Sequence, residues 1–327
     1  MNLNLYDKNL TKIAIIGGQY ISCLWSEGYN TIENFSLELI ATEEYKKKIR
    51  PDCYVGRNDR KTLMVIKGVQ IANGKLVATG KQAARVLDDV AFVGTIARDQ
   101  PIDTSLKNAY ETTNKFHNVE IAEGSTGVIY GHAISNKSML EMYKTICQDT
   151  DTGFRTVRNG GIILTELYRP EANPNLVFAE KYGNLTVGGI SLSTEPYKNY
   201  CIVLGMATEN GRVRVDVDLT GGSERREMII DAKDLQKEDG ETDEEYIARL
   251  EDRGFEKLLE TQQIFSTAFA PLAKDFGSKY DLGDVLTILL TDYGLKLQAR
   301  LARFTQKSQN NRTETTIDVG QITIKRR

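Results

Sequence analysis

Two aspartates near the C-terminus, Asp281 and Asp284, come closest in type and spacing to a catalytic pair. Glycoside hydrolases use two carboxyl groups that face one sugar bond at about 5 to 10 Å from each other. Here the two residues lie in the segment Tyr280–Val285, which leads into an apolar strand pattern. Aspartates in such turns more often accept hydrogen bonds from their own backbone. The sequence therefore predicts a structural turn formed with Gly283, and sugar hydrolysis is the alternative.

Histidine and cysteine, which can bind metals or act as nucleophiles, form no recognisable site. His117 and His132 lack the His-x-x-x-His spacing of a helical zinc site and have no carboxylate motif nearby. The cysteines include no Cys-x-x-Cys pair, so neither a zinc knuckle nor a disulfide framework is indicated. They are predicted to be buried free thiols: Cys23, Cys53, Cys147 and Cys201.

Two further segments suggest chemistry, but both patterns are incomplete. Gly221–Arg226 lacks the lysine and spacing of a phosphate-binding loop and the Gly-x-Ser-x-Gly of a hydrolase, so a turn is predicted. The acidic residues between 238 and 245 do not follow the calcium-loop pattern and are predicted to be solvated at a helix start. We therefore expect no enzymatic activity, no cofactor and no metal.

The composition is that of a globular protein with more than one domain. Of its 327 residues, 40% are hydrophobic and 27% are charged, and single cores tend to split beyond about 250 to 300 residues. The net charge of -3 argues against a main task of neutralising phosphates. No apolar run approaches the roughly 20 residues that span a bilayer, and the N-terminus lacks signal-peptide features. We expect no membrane insertion and folding in the cytosol.

The segment 1–100 is predicted to be a first β domain. Asn73–Gly74 predicts a type I′ hairpin, because both central residues of that turn have positive φ. A short helix is predicted at 81–89 and a polar connection at 95–110. Apolar or alternating runs predict strands with one buried face. These strands are Lys12–Ile16, Tyr20–Trp25, Asn34–Ile40, Leu63–Ile71 and Lys75–Thr79.

The segment 101–190 is predicted to be a small α+β domain. Ser138 and Glu141 fit a capping box that starts a helix, which should stop by Gly153. Asn159–Gly160 then predicts a second hairpin.

A second β domain is predicted from 191–232 together with 278–327. Asn210–Gly211 supplies a third hairpin turn, and alternating residues on both sides of it indicate half-buried strands. The C-terminal strands within 285–319 show the same alternation. We expect them to pair with the strands within 201–219.

A helical insertion is predicted at 233–277, between the two parts of this domain. Thr242 and Glu245 fit a second capping box at the start of the longest helix. That helix should run to about Phe269, before Pro271.

The order of several short segments resembles that of one protein family. The turn and strand at 280–285 are followed by Tyr293–Leu295 and by the alternating strand around Arg300, and an aromatic strand pair with Trp25 and Phe35 lies near the N-terminus. The other members of the set are Gly80–Leu87, Tyr182–Leu185, Tyr197–Tyr200, Arg225–Leu235 and Leu250–Leu259. The ordered set resembles the siphovirus Gp37-like tail proteins, which are similar to the baseplate hubs of contractile phages and of phage-derived contractile particles.

The resemblance implies an α+β, β-rich fold with two tube-like antiparallel β-barrel domains, a small α+β middle domain and a helical insertion. It also implies a homotrimeric, pseudo-sixfold ring that joins the hexameric tail tube to a threefold spike or fibre. The implied partners are the tail tube protein, the spike or fibre protein and other baseplate proteins, with DNA at most passing through the lumen. The protein would lie in the baseplate or tail tip of a phage or headless bacteriocin, assembled in the cytoplasm of the bacterial host.

Under this interpretation the motif residues are structural. Asp281, Gly283 and Asp284 form the turn, while Trp25 and Phe35 belong to the strand pair. Two alternatives stay open, a tail-associated peptidoglycan hydrolase and a receptor- or carbohydrate-binding tail protein. A hydrolase needs carboxylates or a metal that converge in a cleft. A receptor-binding protein would sit at the periphery of the particle, whereas a hub would lie on the tail axis.

Overall fold

The computed structural model describes residues 1–113, 118–124, 126–192, 195, 197–209, 211–238, 240–261, 265–271, 276–291, 295–310 and 312–324. Packing divides the chain into two units. Unit 1 consists of Met1–Thr186 and Ala270–Arg327, and unit 2 consists of Val187–Phe269. Strands outnumber helices in the described residues, which confirms the predicted β-rich α+β class.

Most of the strands and three of the helices lie in unit 1. In chain order they are β1 (Leu3–Tyr6), β2 (Lys12–Gly17), β3 (Ser22–Gly28), β4 (Asn34–Ile40), α1 (Glu43–Lys48), β5 (Tyr54–Arg57), β6 (Leu63–Ala72), β7 (Lys75–Gln82), β8 (Thr95–Ile96), β9 (Gln100–Pro101), α2 (Ile102–Glu111), β10 (Val119–Ile121), β11 (Ile129–Tyr130), β12 (Ile134–Ser135), α3 (Met139–Thr150), β13 (Gly153–Asn159), β14 (Ile162–Tyr168) and β15 (Ala172–Ala179).

The chain then passes through unit 2 and returns to unit 1. β16 (Leu185–Leu192) leads into unit 2, which contains β17 (Tyr200–Thr208), β18 (Gly211–Asp218), β19 (Glu227–Asp231) and α4 (Asp243–Thr261). β20 (Phe265–Pro271) leads out and pairs with β16. Unit 1 is then completed by β21 (Val285–Leu290), β22 (Leu295–Gln309) and β23 (Arg312–Ile324).

The central feature of unit 1 is an eleven-stranded sheet with the order β15-β21-β22-β3-β4-β7-β6-β5-β1-β2, in which β23 also pairs with β22. β23 follows one edge of β22. The other edge of β22 pairs first with β21 and then with β3. The C-terminal hairpin is thus built into the sheet that the N-terminal third begins. Within the described residues the sheets are open, and none closes on itself as a barrel.

The predicted pairing of the strands within 285–319 with those within 201–219 is wrong. β22 pairs with β21, β23 and β3, while both edges of β17 are taken by β18 and β19. Alternation of apolar residues indicates which face of a strand is buried, but not which strand lies beside it. The four domain ranges stay a prediction.

Two of the three predicted Asn–Gly hairpins are confirmed. Asn73 and Gly74 join β6 to β7 with φ values of 51° and 73°, as a type I′ turn requires. The hairpin of β13 and β14 is also present, but its turn residues are Gly160 and Gly161, because Asn159 ends β13 and pairs with Ile162. At the third turn, Asn210 lies outside the described residues, although β17 and β18 pair up to Gly211.

Both capping boxes are confirmed, but helix extents differ from the predictions. Ser138 and Glu141 form the capping box of α3. Thr242 and Glu245 exchange two hydrogen bonds at the start of α4. α4 ends at Thr261, so the predicted extension to Phe269 is wrong. The backbone of β20 pairs with β16 instead, a long-range contact that overrides local helix propensity.

Two elements of the first half also depart from the predictions. The segment 95–110, predicted as a polar connection, contains most of α2, whose amphipathic pattern buries Ile102 and Leu106. The short helix predicted at 81–89 is present, but it begins at Ala83 and is a 3-10 helix.

Each unit has its own core. In unit 1, α2, α3 and the 3-10 helix pack with residues of β1, β5 and β6. In unit 2, Cys201, Val203 and Val215 of the sheet pack against Tyr246 and Leu250 of α4. Unit 2 therefore has the buried apolar surface that an inserted module needs.

Gly80 of β7 provides a test of the sheet packing. A Cβ at this position would lie 2.0 Å from the Val65 carbonyl oxygen of β6, a contact that requires a backbone shift. We expect Gly80→Ala to lower the free energy of unfolding by about 1–3 kcal/mol, the usual cost of overpacking, as measured by denaturant titration. Gly161→Ala is the matched control, because a Cβ there meets open space. Equal stability changes in both variants would contradict this packing.

Candidate assembly site

The segment 281–284 forms a turn in which both aspartates accept backbone hydrogen bonds. Asp284 Oδ2 accepts from Asp281 N at 2.8 Å, and Asp284 Oδ1 accepts from Glu171 N at 3.0 Å. Asp281 Oδ1 accepts from Leu282 N at 2.8 Å. The carboxylates therefore organise the backbone at the start of β21, as expected for aspartates in turns.

Gly283 allows this turn to lie close to Tyr29. Its φ of 90° favours glycine, and a Cβ here would lie 2.5 Å from the Tyr29 ring. Its amide donates to Leu301 O of β22 at 2.8 Å, and its carbonyl accepts from Arg300 Nη1 at 2.7 Å. The turn is thus attached to the strand that pairs with both β21 and β3.

Of the two aspartates, Asp284 has the shifted carboxyl pKa that acid chemistry would need. Burial raises the pKa of its carboxyl, amide hydrogen bonds from Asp281 and Glu171 lower it, and the nearby charges of Asp281 and Glu171 raise it, with a net upward shift. A raised carboxyl pKa suits a general acid. Both oxygens are already engaged by backbone amides, however, which favours a structural role.

Trp25 and Phe35 form a separate contact on the neighbouring strands β3 and β4. Their rings meet edge to face with centroids 5.8 Å apart, and both side chains are almost completely buried. Trp25 Nε1 donates to Glu27 Oε1 at 2.7 Å. The aromatic pair is therefore anchored to a buried carboxylate that the sequence analysis did not identify.

Glu27 and Arg60 form a buried ion pair. Glu27 is 2% exposed, and it accepts from Arg60 Nε at 3.0 Å and from Arg60 Nη2 at 2.7 Å. Thr62 Oγ1 donates to the same carboxylate at 2.9 Å. The geometry is the bidentate arrangement that makes arginine–carboxylate pairs strong.

Arg60 also extends towards the C-terminal part of the sheet. Its guanidinium lies over the Phe276 and Phe304 rings, at 4.8 and 5.3 Å from their centroids. Asp281 Oδ1 lies 3.5 Å from Arg60 Nη2. Arg60 therefore connects the buried Glu27 with the turn at 281–284. A glutamate two positions after a tryptophan in an apolar strand was the signal in the sequence.

In this pair, each charged group stabilises the charged form of the other. Burial alone would raise the pKa of the Glu27 carboxyl, but the charge of Arg60 and hydrogen bonds from Arg60, Trp25 and Thr62 outweigh burial and hold that pKa below its usual value. Burial lowers the pKa of the Arg60 guanidinium, but the charges and hydrogen bonds of Glu27 and Asp281 outweigh burial and raise that pKa above its usual value. Both groups are charged at neutral pH.

Several strands of unit 1 have an edge without a partner in the described part of the chain, and β2 and β23 of the large sheet are two of them. β2 pairs only with β1, and β23 pairs only with β22. Ile15 of β2 is 70% exposed. Unpaired strand edges are templates for adding another strand.

The described residues contain neither a metal-binding cluster nor a helix that could span a membrane. They contain no group of three or more His, Cys, Asp or Glu placed to hold a metal ion. His117 lies outside them, and His132 contacts Tyr130. No helix in this part of the chain is both long and apolar enough to cross a bilayer. All four cysteines are buried and free, as predicted.

The first prediction from this site concerns the buried pair at neutral pH. Removing one member of a buried ion pair leaves the other charge uncompensated and costs about 3–5 kcal/mol. We expect Glu27→Gln to lower the free energy of unfolding by this amount in a denaturant titration. Glu166→Gln is the control, because its exposed pair with Arg155 contributes at most about 1 kcal/mol. Equal losses in the two variants would refute the role of burial.

The second prediction concerns pH. Because the pKa of Glu27 is lower in the folded state than its usual 4.5, its stabilisation is complete above that value and is lost as the pH falls through the folded pKa. The difference in unfolding free energy between the wild type and Glu27→Gln should therefore shrink progressively as the pH falls below 4.5. A difference that grows on acidification would contradict the assignment.

Comparison with known proteins agrees with this architecture. A sequence model of the Siphovirus ReqiPepy6 Gp37-like protein family matches residues 2–321. No curated protein sequence matches the chain.

Solved structures share the fold at low sequence identity. Prophage tail protein gp18 from Listeria monocytogenes EGD-e is similar with a TM-score of 0.64 and 12% identity, over 98% of this chain and 93% of that one. The prophage MuSo2 43 kDa tail protein from Shewanella oneidensis has a TM-score of 0.65 and 12% identity, over 98% of both chains.

A third similar structure is larger. A chain of the Francisella PdpA–VgrG complex has a TM-score of 0.53 and 8% identity, over 97% of this chain but 57% of that one. The family match covers nearly the whole sequence, and the two tail proteins share the fold over nearly their whole length. The chain belongs to the Siphovirus ReqiPepy6 Gp37-like protein family and has the fold of phage tail proteins.

Proposed function

We propose that this phage tail protein is a baseplate or tail-tip hub, a homotrimer that forms a pseudo-sixfold ring between the hexameric tail tube and a threefold spike or fibre. The observation that carries the proposal is the family match over residues 2–321. The fold shared with two prophage tail proteins agrees with it.

The open sheet of unit 1 supports a role in assembly. Its edge strand β2 exposes Ile15 and has only β1 as a partner among the described residues. Soluble proteins usually cover, shorten or charge such edges. A ring of subunits that pairs the edges removes this liability. A stable interface of this kind buries about 2,000 Å² or more.

The arrangement of the conspicuous carboxylates also favours a structural protein over a catalyst. Asp281 and Asp284 accept hydrogen bonds from backbone amides, and Glu27 is paired with Arg60. These groups hold strands together. The net charge of -3 is compatible with a lumen through which DNA slides without binding.

The proposed partners are other tail components. The similar chain of the PdpA–VgrG complex is also part of an assembly of different proteins, which agrees with this proposal. In this proposal the tail tube protein binds on one side of the ring and the spike or fibre on the other. The particle is assembled in the cytoplasm of the bacterial host, and the protein lies on the axis of its tail.

The location in the particle tests the proposal directly. Electron microscopy of particles that carry a small tag on this protein should show three copies around the tail axis, between tube and spike. Copies at the periphery would favour a receptor-binding protein. Degradation of peptidoglycan by the purified protein, lost in Asp284→Asn, would favour a hydrolase.

A further inference from the structure

The two unpaired edges, β2 and β23, terminate one continuous series of strands. From β23 the order runs through β22, β3, β4, β7, β6, β5 and β1 to β2. β15 also has a single partner, but it contains Pro174, which has no amide hydrogen to donate. β2 and β23 contain no proline. They are therefore the edges best able to accept another strand.

Three cations without an acidic partner in the described residues lie near the β2 edge, and two of them lie beside Tyr6 of β1. Lys12 of β2 lies opposite Tyr6, and the Arg158 guanidinium lies 4.5 Å from the centre of the Tyr6 ring. The Arg158 amide donates to Lys61 O at 2.9 Å, which brings the third cation, Lys61, next to them. This end of the sheet is basic and unneutralised, and it adjoins the exposed Ile15.

The β23 edge has the complementary character. Its residues 312–319 include two acids, Glu314 and Asp318, and one cation, Arg312. Asp318 has only a long contact of 3.9 Å with Arg303. Threonines at 313, 315 and 316 favour an extended strand and are exposed or half-buried. The β23 edge is thus polar and mildly acidic, which complements the basic and apolar β2 edge.

The strand directions decide how two copies can join. Every neighbouring pair from β2 to β23 is antiparallel, and the series has nine strands. β2 and β23 therefore point the same way. A rotation about an axis that runs roughly along the strands preserves this direction, so β2 of one copy meets β23 of the next in parallel. Two β2 strands related by a twofold axis across them would instead be antiparallel.

We infer that the second copy of this chain is the occupant of the β2 edge, and that β2 of each copy pairs in parallel with β23 of the next to join their sheets into a closed ring. This inference rests on the proposed trimeric hub and names its interface. The pairing covers Ile15 and brings the acids of β23 towards Lys12 and its neighbouring cations. It uses two different surfaces of the subunit, as a cyclic assembly requires.

Disulfide trapping in assembled particles tests the interface. Ile15→Cys is combined in turn with Glu314→Cys, Thr315→Cys and Thr316→Cys, which sample both faces of β23. Mild oxidation should yield covalent trimers on non-reducing gels for at least one combination. Each single variant is the control, and the four native cysteines are buried.

The outcomes are distinguishable. Covalent dimers from Ile15→Cys alone would show a twofold β2 contact and overturn the inference. Trimers without any cross-link would also overturn it, while leaving the proposed hub intact. Absence of the protein from the tail axis would overturn the hub itself.

Charge reversal gives an independent measurement. Lys12→Glu should raise the dissociation constant of the trimer about tenfold, because an attractive contact becomes repulsive. Lys47→Glu is the matched control, since Lys47 is exposed on α1, outside both edges. Equal effects of the two reversals on the mass distribution in light scattering would refute the charge complementarity.

Discussion

The buried pair of Glu27 and Arg60 is the constraint on which the arrangement of unit 1 depends. A carboxylate that is 2% exposed is strongly disfavoured unless its charge is matched and its lone pairs are used. Arg60, Trp25 and Thr62 supply these contacts together. The strand β3, the connection between β5 and β6, and the turn before β21 therefore have to meet in one arrangement. Any other arrangement of these three segments would leave the Glu27 carboxylate buried without a compensating charge.

The second constraint is the double use of β22. One of its edges pairs with β21 and then with β3, while the other pairs with β23. β22 therefore joins β21, which precedes it directly in the chain, to β3 near the N-terminus. Phe304 of β22 lies under the Arg60 guanidinium, so the backbone ladder and the ion pair fix the same register. Unit 2, with its own core around α4, interrupts the sequence but not this sheet.

The fold alone does not specify what the protein does, because the same architecture can carry different functions. The functional argument instead comes from the family match and from the chemistry of the surfaces. Carboxylates that suggested hydrolysis are engaged by backbone amides. In the proposed ring, the exposed apolar edge at Ile15 and the cations beside it form part of the contact between copies.

Local signals in the sequence determined local structure. The Asn73–Gly74 turn and the capping boxes at Ser138 and Thr242 were predicted correctly, because each depends on residues within four positions of each other. The alternation in β4 likewise indicated its buried face. The turn at 281–284 was recognised for the same reason, since its aspartates bond to nearby amides.

Only the tertiary structure decided the strand neighbours, the end of α4 and the partners of Glu27. β22 pairs with a strand from the start of the chain rather than with β17 or β18, and Arg60 approaches an aspartate 221 positions away. Period and propensity carry no information about such distances, because many strands could satisfy the same alternation. The choice among them depends on packing and on burying charge in pairs. The sequence by itself therefore determined hairpin turns, capped helix starts and the buried faces of alternating strands, and the tertiary structure decided how the elements are joined.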